Sequence, residues 1–238
     1  MGISLVLLAY KEEDNLRVLL PQIIEEVEKC NEEYEILVVD TAKPLDNTKG
    51  VCQKYGARYI NQEEPGFGGA FRTAIKYANK SKFLIMDSDG SHPPKSIPAI
   101  HKMFVEEKCD VVIGSRYVKG GVTNDAKSSQ IMSHMLNFAF RVCLGLHAND
   151  PSTDYRMYHT KQLKKVKLTC ENYDVLEEVL LRLKLNKRDK KLKIGEVPIN
   201  FQKRMYGESK RQLLKFIISY IKTLFRLMGV RIQDALHK

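Results

Sequence analysis

Two aspartates, Asp87 and Asp89, stand one residue apart where an apolar run ends in a turn. The run reads FLIM at 83–86, and the chain continues as DSDGSHPP. Residues one apart in an extended segment share a face, so these two carboxylates would point to the same place. The pair would bind Mg²⁺ or Mn²⁺ together with a diphosphate, because these hard cations prefer oxygen ligands. Aspartates are also common in turns, and a plain turn is the alternative interpretation.

A glycine-rich turn precedes the helical apolar spacing at 71–78. Gly66, Gly68 and Gly69 lie in the sequence EPGFGGAF. Glycines let a backbone approach a ligand, and a helix N-terminus favours anions. The glycine spacing matches neither the P-loop nor the dinucleotide-binding fingerprint. A strand-to-helix turn without a ligand explains the pattern equally well.

Basic residues recur in predicted loops of the second half. Arg116 follows an apolar run, Arg156 ends the polar stretch HANDPSTDYR, and RMYGESK carries Ser209 and Lys210 just after Arg204. Single basic side chains are usually solvated, but several that converge on one cleft would bind phosphate.

The first half of the chain alternates between strand-like and helical segments. The apolar, strand-like runs are 3–9, 34–40, 57–61, 82–87 and 110–115. This alternation predicts an α/β fold with a mainly parallel central sheet and helices on both faces. Ligands bind such sheets at the carboxyl ends of the strands, where polar or turn-forming residues follow each run here. Further on, we predict helices over about 127–146 and 174–185 and a strand over 193–201, at a sheet edge because of Pro198.

Composition narrows the classes of protein and partner. The 238 residues include 39 basic and 29 acidic ones, a net charge of +10. This excess indicates an anionic partner, or serves solubility alone. No aromatic-rich basic stripe appears, so nucleic acid is not the expected partner. Five scattered cysteines without a C-x-x-C pair indicate a reducing compartment. Neither a signal peptide nor an apolar run of the ~20 residues that span a bilayer is recognisable.

The segment 213–230 predicts an amphipathic helix. Its polar side carries Lys215, Ser219, Lys222, Thr223 and Arg226, and its apolar side carries Leu213, Phe216, Ile217, Tyr220, Leu224, Leu227 and Met228. A wide apolar face beside basic residues suits a helix in a lipid headgroup layer or on a small membrane subunit. Packing on the core is the alternative. We therefore divide the chain into a domain at 1–210 and a C-terminal amphipathic helix at 211–238.

Taken in order, the motifs resemble those of family 2 glycosyltransferases over about 3–210. They are LLAYKEEDNL, YEILVVD, GFGGAFRTAI, FLIMDSDGSHPP, DVVIGSRYVKGG, NDPSTDYRMY and IGEVPINFQKRMYGESK. Within that family they are most similar to the dolichol-phosphate mannosyltransferases and the bacterial polyprenyl-phosphate glycosyltransferases. The resemblance implies a GT-A fold and a divalent metal, Mg²⁺ or Mn²⁺. It also implies inverting transfer of a hexose, mannose before glucose, from a nucleotide-diphosphate sugar to a polyprenyl or dolichyl phosphate. Such an enzyme would be peripheral on the cytoplasmic face of a membrane.

The resemblance also implies roles for individual residues. The nucleotide and donor positions would be Ala9, Tyr10, Glu12, Asp40, Gly66, Asp87 and Ser88. The metal positions would be Asp87, Asp89 and Ser91, and the catalytic positions Asp89, Arg116 and Arg204. The acceptor phosphate would meet Arg116, Arg156, Arg204, Ser209 and Lys210. Asp150 and Glu178 would face the site.

One departure from the family pattern concerns the nucleoside pocket. The family usually has a second aspartate after Asp40, whereas Thr41 stands here, which leaves the base of the donor open. His92 precedes two prolines in a turn, and we expect it to be structural. The alternatives are a transferase of the same fold that acts on a glycan hydroxyl, or a catalytically weak donor-binding subunit. A homo-oligomer is possible in either case.

Overall fold

The apolar runs form the strands of a central sheet, and the segments between them form its covering helices. The computed structural model describes residues 1–125, 127–187, 191–206 and 213–236, with the backbone alone at 213–220. The strands are β1 (Gly2–Leu8), β2 (Glu33–Asp40), β3 (Arg58–Asn61), β4 (Lys82–Asp87), β5 (Val111–Ser115), β6 (Val122–Thr123), β7 (Arg156–His159), β8 (Ile194–Pro198) and β9 (Asn200–Phe201). The helices are α1 (Glu13–Glu28), α2 (Thr48–Lys54), α3 (Gly66–Tyr77), α4 (Ile97–Glu106), α5 (Lys127–Leu144), α6 (Thr160–Leu163), α7 (Val175–Asn186) and α8 (Leu213–Leu236).

Seven strands form one sheet in the order β3-β2-β1-β4-β7-β5-β8, and β6 pairs with β9 separately. β7 runs antiparallel to β4 and β5, while the other neighbours in the sheet are parallel. The predicted mainly parallel sheet is therefore confirmed. The expected loop position of Arg156 is wrong, because this residue opens β7. Four residues after a polar stretch give too short a pattern to predict a strand.

Both faces of the sheet are covered by helices. On one face α1, α2 and α4 pack against alternate strand residues such as Ile3, Leu5 and Leu7. On the other face α3, α5, α7 and α8 pack against the intervening residues, among them Val6 and Ile85. Strand side chains alternate between the two faces, so a sheet buried on both sides needs the continuous apolar runs seen in the sequence.

The predicted strand over 193–201 is wrong as a single element. It divides into β8, at the edge of the main sheet as Pro198 indicated, and β9 in the small sheet. Between them, the Ile199 amide donates to the carbonyl of Ser115, and the Ile199 carbonyl accepts from Val122. The chain therefore passes from one sheet to the other at Pro198, which has no amide hydrogen to continue a ladder.

The helix predicted at the C-terminus is present as α8, but it does not stand apart from the core. Leu227 is fully buried, and the Thr223 hydroxyl donates to Asp174 at 2.7 Å. Ile221 and Phe225 are exposed instead. Part of the side that was predicted to meet a membrane therefore packs on α5 and α7. Among the described helices, none has the length and apolar character to cross a membrane.

Candidate active site

The ends of β1, β2 and β4 place predicted site residues at one edge of the sheet. Leu8 lies opposite Asp87 in the register of β1 and β4. The Ala9 amide donates to the carbonyl of Val39 in β2, and the Ser88 hydroxyl donates to that of Leu8. These bonds bring together the predicted donor-binding positions at the ends of three strands, as expected for a parallel sheet.

Asp87 and Asp89 converge on Ser91. The Ser91 hydroxyl donates to Oδ2 of Asp87 at 3.1 Å, and its amide donates to Oδ1 of Asp89 at 3.0 Å. β4 ends at Asp87, and a turn through Gly90 (φ +81°) brings Ser91 back to both carboxylates. The two carboxylates are 25% and 24% exposed, which leaves both within reach of a ligand.

His92 lies beneath this turn and holds it. The Asp87 amide donates to Nδ1 at 2.9 Å, and Nε2 lies 3.2 Å from the hydroxyl of Thr153. The ring is buried, and burial lowers the pKa of His92. Oxygen or nitrogen atoms of Asp87, His92 and Asp154 lie within 4.8 Å of one another, close enough to share one metal ion. Because Nδ1 already accepts the Asp87 amide, the carboxylates are the available ligands, and they suit a hard cation.

Asp154 was missed by the sequence interpretation. It lies in the polar stretch before β7, two residues ahead of Arg156. The antiparallel pairing of β7 with β4 places Asp154 beside Asp87, and no motif in the sequence predicts that pairing.

Arg204 links the carboxylates at the ends of β1 and β4. Its Nη2 donates to Oε1 of Glu12 at 2.9 Å, and its Nε lies 3.7 Å from Oδ2 of Asp89. The next residue, Met205, donates its amide to the Asp89 carbonyl. Burial raises the pKa of Glu12, although bonds from Asn15 and Arg204 oppose the shift. The segment that carries Arg204 therefore lies directly against the acidic turn.

Arg116 is held by Asp150 in a buried, bidentate pair. Nε and Nη2 of Arg116 each donate to Asp150 at 2.8 Å, and the Arg116 amide donates to the same carboxylate. Burial alone would raise the pKa of Asp150, but the bonds and charge of Arg116 outweigh it and lower that pKa. Nη1 of Arg116 points to Asp125 at 3.5 Å, and the Asp125 side chain is part-exposed.

Two predicted site residues lie below the site surface. Arg156 is fully buried and donates to backbone carbonyls, so its expected contact with an acceptor phosphate is not available in this structure. Glu178, also fully buried, accepts hydrogen bonds from the amides of Thr169 and Cys170 instead of facing the site. The charged groups of both residues are therefore hydrogen-bonded to the backbone inside the protein. The other two predicted acceptor contacts, Ser209 and Lys210, lie outside the described residues.

Asp40, which was predicted to contact the nucleoside, is enclosed by protein contacts. Tyr59 donates to its Oδ2 at 2.9 Å, and the Thr41 amide donates to its Oδ1 at 2.7 Å. Asn61 in turn donates to the Thr41 carbonyl. Burial raises the pKa of Asp40. The contacts of Tyr59 and Asn61 around Asp40 were not predicted from the sequence, because a short strand such as β3 carries no recognisable motif.

The glycine turn packs against another part of the chain. The Gly68 amide donates to the Glu171 carbonyl at 2.8 Å, and a Cβ on Gly68 would overlap the carbonyl of Cys170. Gly66 adopts a positive φ of 79°, which favours glycine. This close approach explains why glycines stand in the turn, and the explanation requires no ligand. Tyr10, by contrast, is half-exposed at the same edge of the sheet as Asp40.

These features define an α/β fold whose strand ends gather carboxylates and the arginines Arg116 and Arg204 at one edge of the sheet. The chain belongs to glycosyl transferase family 2, which it matches over residues 4–167. It is accordingly a glycosyltransferase.

Two relatives match nearly the full length of the chain. It is 31% identical over 235 residues to a dolichol-phosphate mannosyltransferase of Pyrococcus furiosus, covering 96% of this chain and 64% of that protein. It is 30% identical over 224 residues to an undecaprenyl-phosphate mannosyltransferase of Micrococcus luteus, covering 88% and 87%. The chain thus spans just under two thirds of the Pyrococcus relative.

Solved structures confirm the predicted GT-A fold. Glucosyl-3-phosphoglycerate synthase of Mycobacterium tuberculosis, crystallised with Mn²⁺, UDP and glucosyl-3-phosphoglycerate, superposes with a TM-score of 0.72. The match covers 96% of this chain and 80% of that one, at 19% identity. At this identity the likeness speaks for the fold alone.

Proposed function

We propose that the chain transfers a hexose from a nucleotide-diphosphate sugar to a polyprenyl or dolichyl phosphate, with inversion at the anomeric carbon. Mannose is the first expected sugar and glucose the second. The observation that carries the proposal is the convergence of Asp87 and Asp89 on Ser91, with Arg204 beside them. Relatives of about 30% identity named for mannosyl transfer to dolichol phosphate and undecaprenyl phosphate support this acceptor class.

A divalent ion, Mg²⁺ or Mn²⁺, fits this site. Asp87 and Asp89 would hold it, with the Ser91 hydroxyl and the Asp154 carboxylate close by. Bound there, the ion would neutralise charge on the departing nucleotide diphosphate. The donor set fits because it consists of oxygens and two of its carboxylates remain part-exposed.

The chain's own residues bind and orient the two substrates. Tyr10 is the exposed group where the nucleoside would bind, whereas the carboxylate of Asp40 is buried against Tyr59 and Thr41. Arg204 would bring a positive charge to the diphosphate side. Nη1 of Arg116 is directed to the part-exposed Asp125, where an acceptor phosphate would compete for it. Such positioning converts two bound substrates into an in-line pair. A phosphate monoester titrates near pH 6 and is already an anion, so no strong general base is needed.

The outward sides of α5 and α8 offer a surface for reaching a lipid. In the described part of the chain they expose an outer stripe of large apolar side chains: Ile131, Met135, Phe138 and Val142 on α5, and Ile221, Phe225, Ile232 and Leu236 on α8. On α5 the stripe lies opposite the buried Phe140 and Leu144. The α5 sequence contains lysine and arginine but no acidic residue. This combination suits peripheral binding to the anionic, cytoplasmic face of a membrane.

A thermal-shift panel tests the donor half of the proposal. GDP, UDP, GDP-mannose and UDP-glucose are added with and without Mn²⁺, and a bound ligand raises the melting temperature by mass action. We expect one nucleotide to stabilise the protein selectively, and more strongly with Mn²⁺. An unchanged melting temperature across the panel at millimolar ligand would contradict donor binding.

Measuring the acceptor and the turnover distinguishes the proposal from the two alternatives, a transferase acting on a glycan hydroxyl and a donor-binding subunit. A glycan hydroxyl acceptor would leave labelled sugar in the aqueous phase after organic extraction. A donor-binding subunit would show a thermal shift without turnover. The altered Asp40–Thr41 motif is the feature that motivates the second alternative.

A further inference from the structure

Arg156 makes an unusual set of contacts for a buried charge. Its Nε donates to the Thr153 carbonyl at 2.6 Å, and Nη2 donates to the Pro151 carbonyl at 2.5 Å. Nη1 donates to the Leu176 carbonyl at 2.8 Å and to the Tyr158 hydroxyl at 3.1 Å. The side chain is fully buried. Three nitrogens thus bind the carbonyls of two different chain segments.

Only a guanidinium can make this arrangement. Its five donors lie in a rigid plane, whereas a lysine presents one compact ammonium that cannot span separate carbonyls. Burying such a charge is costly unless hydrogen bonds replace its water shell. The nearby Glu177 makes no hydrogen bond to Arg156, because neither of its carboxylate oxygens has a hydrogen-bond partner among the described residues. The bonds from Arg156 therefore stabilise the loop at 149–154 in one conformation.

That loop holds two groups of the candidate site. Asp150 makes the bidentate pair with Arg116, and the Ser152 hydroxyl accepts a further bond from Arg116 Nη2 at 3.1 Å. Thr153 contacts Nε2 of His92, whose other nitrogen accepts the Asp87 amide. Movement of the loop would therefore displace both Arg116 and the acidic turn.

We propose that Arg156 is a positioning residue: its guanidinium fixes the 149–154 loop, and the loop fixes Arg116 and His92. Arg156 itself touches no substrate. As a statement about catalysis, the inference rests on the proposed function, whereas the loop anchor stands on the contacts alone.

Hydrogen exchange tests the anchor without any substrate. Arg156→Lys keeps the charge but loses the fork, and we expect peptides covering 149–155 and 115–117 to exchange about tenfold faster or more. Arg58→Lys is the matched control, because Arg58 also donates to a backbone carbonyl, that of Tyr77, but lies at the opposite side of the sheet. It should leave the 149–155 peptides unchanged. If Arg156→Lys leaves them unchanged too, the inference is overturned.

Should Arg156→Lys not fold, Tyr158→Phe replaces it. This variant removes only the hydroxyl that accepts from Nη1. We expect a smaller increase in exchange in the same peptides, and none there would equally overturn the inference.

A double-mutant cycle tests the consequence for the site. If Arg156 acts on Arg116 through Asp150, Arg156→Lys should lower transfer by a smaller factor in the Asp150→Asn background than in the wild type, because linked residues are not additive. Independent, multiplying losses would contradict the positioning role. A wild-type protein that transfers no sugar, together with a loosened loop in Arg156→Lys, would refute the proposed function and leave the anchor intact.

Discussion

Substitution of Asp89 tests whether the turn after β4 is a metal site or an ordinary turn. Among the described residues, the Asp89 carboxylate accepts the Ser91 amide and lies near Arg204, so we expect the fold to tolerate its loss. We expect Asp89→Asn to lower metal-dependent transfer by about 100-fold or more, the typical scale for losing one electrostatic group in a site. The exposed Asp14→Asn in α1 is the control. Full activity of Asp89→Asn at limiting Mn²⁺ would remove the carboxylate pair from the account.

Glu177 gives a prediction about pH and stability. Burial raises its pKa well above the value of about 4.3 in an unfolded chain. Folded Glu177 then keeps a proton that the unfolded chain releases, so its contribution to stability falls as pH rises above about 4.3. We expect Glu177→Gln to raise the melting temperature more at pH 8 than at pH 5. Each kcal/mol gained in the free energy of unfolding corresponds to about 2–4 °C.

The exposed Glu25→Gln is the matched control for that measurement, because its carboxylate is 73% exposed. It should leave the melting temperature unchanged at both pH values. Equal shifts for Glu177→Gln at pH 5 and pH 8 would show that the carboxyl does not retain its proton.

At the scale of elements, the glycine turn that begins α3 depends on close packing. A methyl group on Gly68 would overlap the Cys170 carbonyl, so the loop beside it must move. We expect Gly68→Ala to destabilise the fold by about 1–3 kcal/mol in urea denaturation. Gly229→Ala in α8 is the control, because no atom lies near its Cβ position and alanine favours a helix by about 1 kcal/mol. Equal stability of the two variants would contradict the packing account.

The outer stripe on α5 and α8 makes a second prediction at this scale. Phe138→Ser removes an aromatic ring that is mostly exposed and lies outside the buried core. We expect its binding to vesicles of phosphatidylglycerol and phosphatidylcholine to fall several-fold in co-sedimentation, with an unchanged melting temperature. Val105→Ser, on the opposite face of the sheet in α4, should bind as the wild type does. Equal losses for both variants would show that the stripe is not a specific surface.

For the whole molecule, α8 belongs to the core as well as to the surface. Leu227 is fully buried, and Thr223 is bound to Asp174. Deletion of residues 213–238 should therefore lower the melting temperature by several degrees or prevent folding, measured by circular dichroism. A truncated protein that melts like the full chain would show that α8 is only an appendage. Point variants of the outer stripe are for this reason the better test of membrane binding.

The sequence predicts those parts of the molecule that have a local pattern of apolar or charged residues. Continuous apolar runs predicted the parallel sheet, and the sequence DSD after β4 predicted that the carboxylates of Asp87 and Asp89 lie close together. Their role as metal ligands stays a prediction. Long-range pairing could not be predicted, because β7 is short and its antiparallel place between β4 and β5 has no local signal. This pairing buries Arg156 and brings Asp154 to Asp87. The same limit applies to α8, because the spacing of its residues shows an apolar side but not whether that side packs on the core or meets a membrane.

Lipid-linked product formation tests the central claim most directly. The protein is incubated with Mn²⁺, a short polyprenyl phosphate and radiolabelled GDP-mannose or UDP-glucose, and the product is extracted into organic solvent. We predict organic-phase label from one donor, its loss when EDTA is added, and its recovery when Mn²⁺ is restored. Label that reaches the organic phase equally in the presence of EDTA, or that never leaves the aqueous phase while the donor is consumed, would contradict metal-dependent transfer to a lipid phosphate.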